Sequence, residues 1–171
     1  MKTMFSVLLL ATSAALTSIS PVAAQSTFPK EGDVAFSGVF HGMSHSVSMG
    51  EDVSQYSYEA MGGLLAEKEG SLPDRMSVRC VGGGRVVKGA LEGETGMCEY
   101  IDLSGDKLFT TTSSTKGEIP GTVSTKHTLA GGTGKYTGIT GGWTGARRSL
   151  RSPIEGQGIS AVTYKGSYRL P

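Results

Sequence analysis

From residue 30 to residue 170, apolar side chains alternate with serine, threonine and glycine. A spacing of two puts successive side chains on opposite faces of an extended chain and predicts strands. After Pro29, residues 34–40 read as a strand, and residues 41–49 either continue it or form a second one. Gly50-Glu51-Asp52 predicts a turn, and residues 55–61 alternate again. Gly62-Gly63 predicts a bend or bulge before Leu64-Leu65-Ala66. Residues 67–70 read as a solvated turn, and residues 75–81 as a strand ended by Gly82-Gly83-Gly84. Residues 86–93 are partly extended. Residues 94–101 and 107–112 form an antiparallel hairpin around a tight turn at 102–106. Strands over 121–129, 139–148 and 158–170 complete the set, and helical periodicity appears only near the start of the chain. This pattern predicts an all-β antiparallel protein, a sandwich or a closed barrel. Closure also removes edge strands that would otherwise pair with other chains.

Residues 130–142, Ala-Gly-Gly-Thr-Gly-Lys-Tyr-Thr-Gly-Ile-Thr-Gly-Gly, have the composition of a phosphate-binding loop but not its spacing. A P-loop needs glycine five residues before its Gly-Lys pair and serine or threonine after it. Leu129 and Tyr136 stand there instead. The segment reads as a glycine-built turn between two strands, with Tyr136 packed and Gly138 and Gly141 allowing close backbone approach.

Residues 1–24 read as a secretory leader. Lys2 is its only charge, residues 5–16 are apolar, and Val22-Ala23-Ala24 precedes the expected cleavage before Gln25. The apolar run is too short to span a bilayer as a helix. This predicts a periplasmic or secreted protein with one domain over residues 25–171. Without Lys2, acidic and basic groups balance, so charge gives no case for nucleic acid or an anionic membrane as partner. The chain has 26 glycines and no asparagine, so glycine must serve nearly all left-handed turn positions. The two cysteines, in an exported chain, predict one disulfide, Cys80–Cys98. Closing so short a loop is worth about 3 kcal/mol. Two cysteines without a nearby histidine do not make a zinc site.

Gly131 to Gly141 resembles a turn of the allene oxide cyclase-like and dirigent-like barrel proteins. Gly96-Met97-Cys98-Glu99-Tyr100-Ile101-Asp102-Leu103-Ser104-Gly105-Asp106-Lys107-Leu108-Phe109 is similar to a pattern in small exported bacterial members, and Tyr164 to Leu170 resembles their last strand. The resemblance spans residues 75–170 and implies an eight-stranded antiparallel, calycin-type barrel with an apolar central cavity. It assigns no function and carries no catalytic residue onto this chain.

Several side-chain groups could carry chemistry. His41, Met43 and His45 share one strand face and, if it points inward, form a weak candidate metal site suited to copper. His127 is the remaining histidine. Tyr56 and Tyr58 share a face and, with the lone Trp143, are the candidate ligand-binding residues; Tyr58 is also a weak catalytic candidate. Arg79 and Glu99 flank the cysteines. They face the cavity as an acid/base pair if the cysteines point outward, and form a surface pair if the cysteines point inward. Arg147, Arg148 and Arg151 read as a solvated loop. Asp102, Ser104 and Asp106 have the spacing of a calcium loop without its distal ligands, so they read as a hairpin turn.

The leading expectation is a barrel that binds a small apolar or aromatic molecule in its cavity without a cofactor. The alternatives are a cofactor-independent cyclase or isomerase, and a filled structural barrel. Paired ionisable groups in the cavity would favour the enzyme.

Overall fold

The alternation translates directly into an antiparallel meander. The computed structural model describes residues 28–118 and 121–171; the expected leader and cleavage before Gln25 lie outside them. The strands are β1 (Glu31–Ser48), β2 (Val53–Ala66), β3 (Ser77–Val87), β4 (Ala90–Ile101), β5 (Lys107–Ser114), the two-residue β6 (Gly117–Glu118), β7 (Thr122–Gly132), β8 (Thr140–Leu150) and β9 (Gln157–Arg169). Eight of them form a closed barrel in the order β1-β2-β3-β4-β5-β7-β8-β9, and β9 returns to pair with β1 from Glu31↔Arg169 to Met43↔Gln157. The short β6 pairs with the start of β4. All the pairings are antiparallel.

One open alternative is decided and two expectations change. Residues 41–48 continue the first strand without interruption. Gly62-Gly63 neither bends nor bulges β2, which keeps one register with β1 from Val47↔Gln55 to Phe36↔Ala66. A Cβ on Gly62 would lie 3.1 Å from the Phe40 ring, so that glycine makes room for Phe40. Gly82-Gly83-Gly84 lie inside β3, which runs on to Val87; the real turn is Lys88-Gly89, both with positive φ.

Cys80 and Cys98 are direct partners across β3 and β4 and form the expected disulfide. Both point inward and are buried.

The two ends of the barrel differ. One end carries the 67–76, 102–106 and 133–139 connections and is filled. Phe36, Leu64, Leu72, Met76, Tyr100, Leu108 and Trp143 are each at most 2% exposed there. Phe36 and Tyr100 both set ring edges against Trp143, with centroids 5.4 and 5.6 Å away. The glycine turn holds a short 3-10 turn, Gly134–Tyr136, with Tyr136 buried. Gly134 has φ of 53°, and any Cβ there would strike the Asp106 carboxylate. Asp102 accepts hydrogen bonds from the Ser104 backbone and from the Tyr136 hydroxyl, and pairs with Lys135. Burial opposes its ionisation, but bonds from Lys135, Ser104 and Tyr136 outweigh that and hold its carboxyl below the usual range. The ammonium of Lys135 thus occupies the position a cation would take in this turn.

Candidate functional site

The other end, where β1–β2, β3–β4, β5–β7 and β8–β9 connect, is open. A cavity of about 400 Å³ enters there between the strands. It narrows to an inner recess of about 60 Å³, reaching the disulfide, His127 and Val162. The outer volume is in the range of small-molecule sites. Phe40, Ala60, Val86, Val123 and Ile159 supply apolar wall.

The polar part comes from strand parity. On β4, Glu94, Gly96, Cys98 and Tyr100 alternate inward, so Glu94 lies on the same face as the buried disulfide. On β8, Trp143, Gly145 and Arg147 share the inner face. Glu94 and Arg147 meet inside the barrel. Arg147 Nη1 and Nη2 donate to Glu94 Oε1 and Oε2 at 2.9 and 3.1 Å. The Tyr56 hydroxyl donates to the same carboxylate. Ser114, from β5, donates to Oε1 at 3.3 Å and bonds to Thr125 of β7. Glu94 is only 4% exposed, against 27% for the Arg147 side chain, so the guanidinium is the partner that meets the cavity.

Glycines create the space for the tyrosines. Tyr56 pairs with Gly84, which pairs with Glu94; Tyr58 pairs with Gly82, which pairs with Gly96. With no side chain at Gly84, Tyr56 reaches across β3 to Glu94. A Cβ on Gly82 or on Gly96 would lie 2.7 Å from the Tyr58 hydroxyl oxygen. The tyrosine therefore lies flat across two strands, and the glycines weaken β3 locally in exchange for a ring-shaped groove.

Burial, then the Glu94 hydrogen bond and charge, raise the Tyr56 hydroxyl well above its ordinary range. Burial and the Glu94 charge raise Tyr58 as well, partly opposed by a hydrogen bond with Thr112. For Arg147, burial works against the charged form, but Glu94 outweighs it and the guanidinium is held more firmly protonated than usual. His127 is buried beside them, and its Nδ1 lies 3.0 Å from the Tyr100 hydroxyl. Burial, then the Arg147 charge, lower its pKa to about 4. At neutral pH the polar floor thus holds the Arg147 guanidinium against Glu94, a neutral imidazole and protonated phenols.

The sequence candidates fall in different places. Tyr56 and Tyr58 line the cavity together. Trp143 does not line it; the indole is 2% exposed in the filled half, stacked on His127 with centroids 5.8 Å apart. Because the cysteines face inward, Arg79 and Glu99 face outward and are not an acid/base pair. Arg79 pairs with Glu59 at 2.7 Å and Glu99 with Lys107 at 3.0 Å. His41, Met43 and His45 do share a face, but it is the outer one, and His41 bonds Gln157. His41 and His45 therefore do not line the cavity, and Met43 reaches it only from that outer face. Among the described residues, no group of three or more histidine, cysteine, aspartate or glutamate side chains could hold a metal. Arg147, read as part of a solvated loop, is a strand residue inside the barrel, while Arg148 faces outward.

Glu94 and Arg147 escaped the sequence reading. The signal was parity: Glu94 is four residues before Cys98, and Arg147 four after Trp143, on strands already recognised. No protein-family model, no curated protein and no solved structure matches this chain.

Proposed function

We propose that this protein is an exported barrel that binds a small apolar or aromatic molecule in the cavity at its open end. The observation that carries the reading is the asymmetry of the interior. One half is packed with aromatic and aliphatic side chains, while the other leaves about 400 Å³ open beside Tyr56, Tyr58 and an apolar wall. A barrel that served only as a structural element would gain stability by filling that volume. The leader-like sequence of residues 1–24 and the disulfide support export into an oxidising compartment.

A second reading is favoured by one observation. Glu94, Arg147, Tyr56 and Tyr58 are paired ionisable groups within a desolvated cavity, the arrangement expected of a cofactor-independent isomerase or cyclase of the allene oxide cyclase-like kind. Binding is common to both readings and is tested first.

The uncharged aromatic dye N-phenyl-1-naphthylamine should bind saturably with one site per barrel, read by its fluorescence gain. Ala60→Phe, which fills the cavity from β2, should abolish the signal, and Tyr58→Ala should weaken it, both with the fold retained by circular dichroism. No saturable binding by the wild type, or equal binding by Ala60→Phe, rejects the reading.

A further inference from the structure

The cavity floor has a chemical asymmetry that constrains the ligand. Arginine carries five N–H donors. In Arg147 one on Nη1 and one on Nη2 are directed at Glu94, leaving the others for the cavity that Arg147 lines. Tyr58 lines the same space and adds a hydroxyl. Both groups can donate, and the Tyr58 hydroxyl can accept as well. The carboxylate of the set, Glu94, is screened by Arg147, Tyr56 and Ser114 and is almost fully buried. A ligand group reaching the floor therefore meets hydrogen-bond donors first.

Donors alone would suit a carboxylate as well as a carbonyl. Charge separates the two. Arg147 is already neutralised by a bidentate carboxylate, so the floor has no net positive charge to offer. A second carboxylate on the guanidinium would sit within a few ångströms of Glu94 inside a low-dielectric barrel. Repulsion from Glu94 would cancel most of the attraction to Arg147, while the cost of stripping water from the anion would remain. A cation fares worse, because the guanidinium stands between it and Glu94, and Glu59, the other lining carboxylate, is paired with Arg79. A carbonyl oxygen accepts the same hydrogen bonds at much lower desolvation cost. The apolar wall of Phe40, Val86, Val123 and Ile159 takes the rest of the molecule.

We propose that the cavity selects uncharged aromatic molecules bearing one hydrogen-bond-accepting oxygen, such as an aryl ketone, aldehyde, amide or ester, over the corresponding carboxylic acids. The inference rests on the binding reading above and names the ligand class for that same site. Arg147 and Tyr58 hold the oxygen. Glu94 is a specificity-determining residue that acts through Arg147, excluding anions by keeping the guanidinium neutralised.

The test uses three ligands with one aromatic body: naphthalene, 2-acetylnaphthalene and 2-naphthoate. Each is titrated calorimetrically at pH 7 into the mature protein and into Glu94→Gln. In the wild type the ketone should bind at least about tenfold more tightly than the carboxylate, and more tightly than the bare hydrocarbon. In Glu94→Gln the freed guanidinium should reverse the order, with 2-naphthoate gaining about tenfold or more. If the wild type binds ketone and carboxylate equally, the proposal is overturned even where Glu94→Gln does not fold. An unchanged ratio in a folded Glu94→Gln overturns it as well. Binding of all three without discrimination leaves the binding reading standing and removes this one. Failure of all three to bind removes both.

Discussion

The two halves of one barrel are built on the same strands and do opposite things with them. At the filled end, inward positions carry Phe36, Leu64, Tyr100, Leu108 and Trp143, each at most 2% exposed. A few residues further along the same strands, inward positions carry Phe40, Tyr56, Glu94 and Arg147, which surround a cavity. A strand fixes which face a side chain takes, but not whether the interior there is filled. That depends on side-chain volume and on the connections. The 67–76 segment delivers Leu72 and Met76 under the filled end, and Tyr136 follows from the glycine turn. At the opposite end, the described turns 49–52 and 88–89 are short and bring little apolar volume to insert. The difference separates stability from chemistry along the barrel axis.

The sharpest way to break this division is a truncation at the filled end. Leu108 is fully buried, so Leu108→Ala should cost about 3–5 kcal/mol in urea unfolding and leave ligand affinity nearly unchanged in the folded fraction. A loss below 1 kcal/mol would mean that the filled end is not the main source of stability.

The boundary between the halves should be sensitive to acid. His127 titrates near 4 in the folded chain because of its burial and then the Arg147 charge, against the ordinary 6.5 when unfolded. Above pH 6.5 both states are neutral and the residue adds no pH dependence. As pH falls from 6.5 to 4, the unfolded chain gains a proton that the folded chain refuses. Stability should then drop by up to about 3 kcal/mol and level off below pH 4 for this group. Asp102 and Asp74, held below their usual range, add their own losses only at lower pH. His127→Gln should flatten the profile between pH 6.5 and 4; an unchanged slope in that variant would assign the loss to other groups.

At the open end, the account expects chemistry to matter more than stability. Replacing the pair together, Glu94→Gln with Arg147→Met, should change unfolding free energy by about 1 kcal/mol or less, because both desolvation costs disappear with the attraction. The same double variant should weaken the preference for ketone over hydrocarbon, with the Tyr58 hydroxyl as the remaining donor. A large destabilisation would recast the pair as a structural element. The smallest effect belongs to the outer surface. Arg79 is solvent-exposed and paired with Glu59 on the surface, so Arg79→Ala should move neither melting temperature nor ligand affinity measurably.

Much of this division could be read in the sequence, and the rest has physical reasons for being hidden. Alternation over residues 55–61 and 94–101 identified β2 and β4, and the turn at 102–106 followed from its Asp-x-Ser-Gly-Asp composition. The cysteine pair followed from count and compartment. Gly82-Gly83-Gly84 misled because three glycines are read as an ending by backbone preference alone. Here they persist in a strand, where Tyr58 and Tyr56 from the neighbouring strand occupy the space above Gly82 and Gly84. Arg147 misled because its neighbours Arg148, Ser149 and Arg151 read as solvated, although its parity with Trp143 put it inside. The face taken by the cysteines decided Arg79, Glu99 and Glu94 at once. That face depends on which side of the sheet closes inward, which alternation cannot state. The outward turn of His41 and His45 was open for the same reason.

The division of the barrel requires ligand to enter the open half and leave the filled half untouched. The most direct measurement is amide NMR of the uniformly 15N-labelled mature protein during titration with 2-acetylnaphthalene. The account predicts saturable shifts confined to residues around Tyr56, Tyr58, Glu94, Arg147 and Gly158, with Leu72, Tyr100 and Tyr136 unmoved. Shifts concentrated on the outer faces of the strands, or no saturable shifts at all, would contradict it.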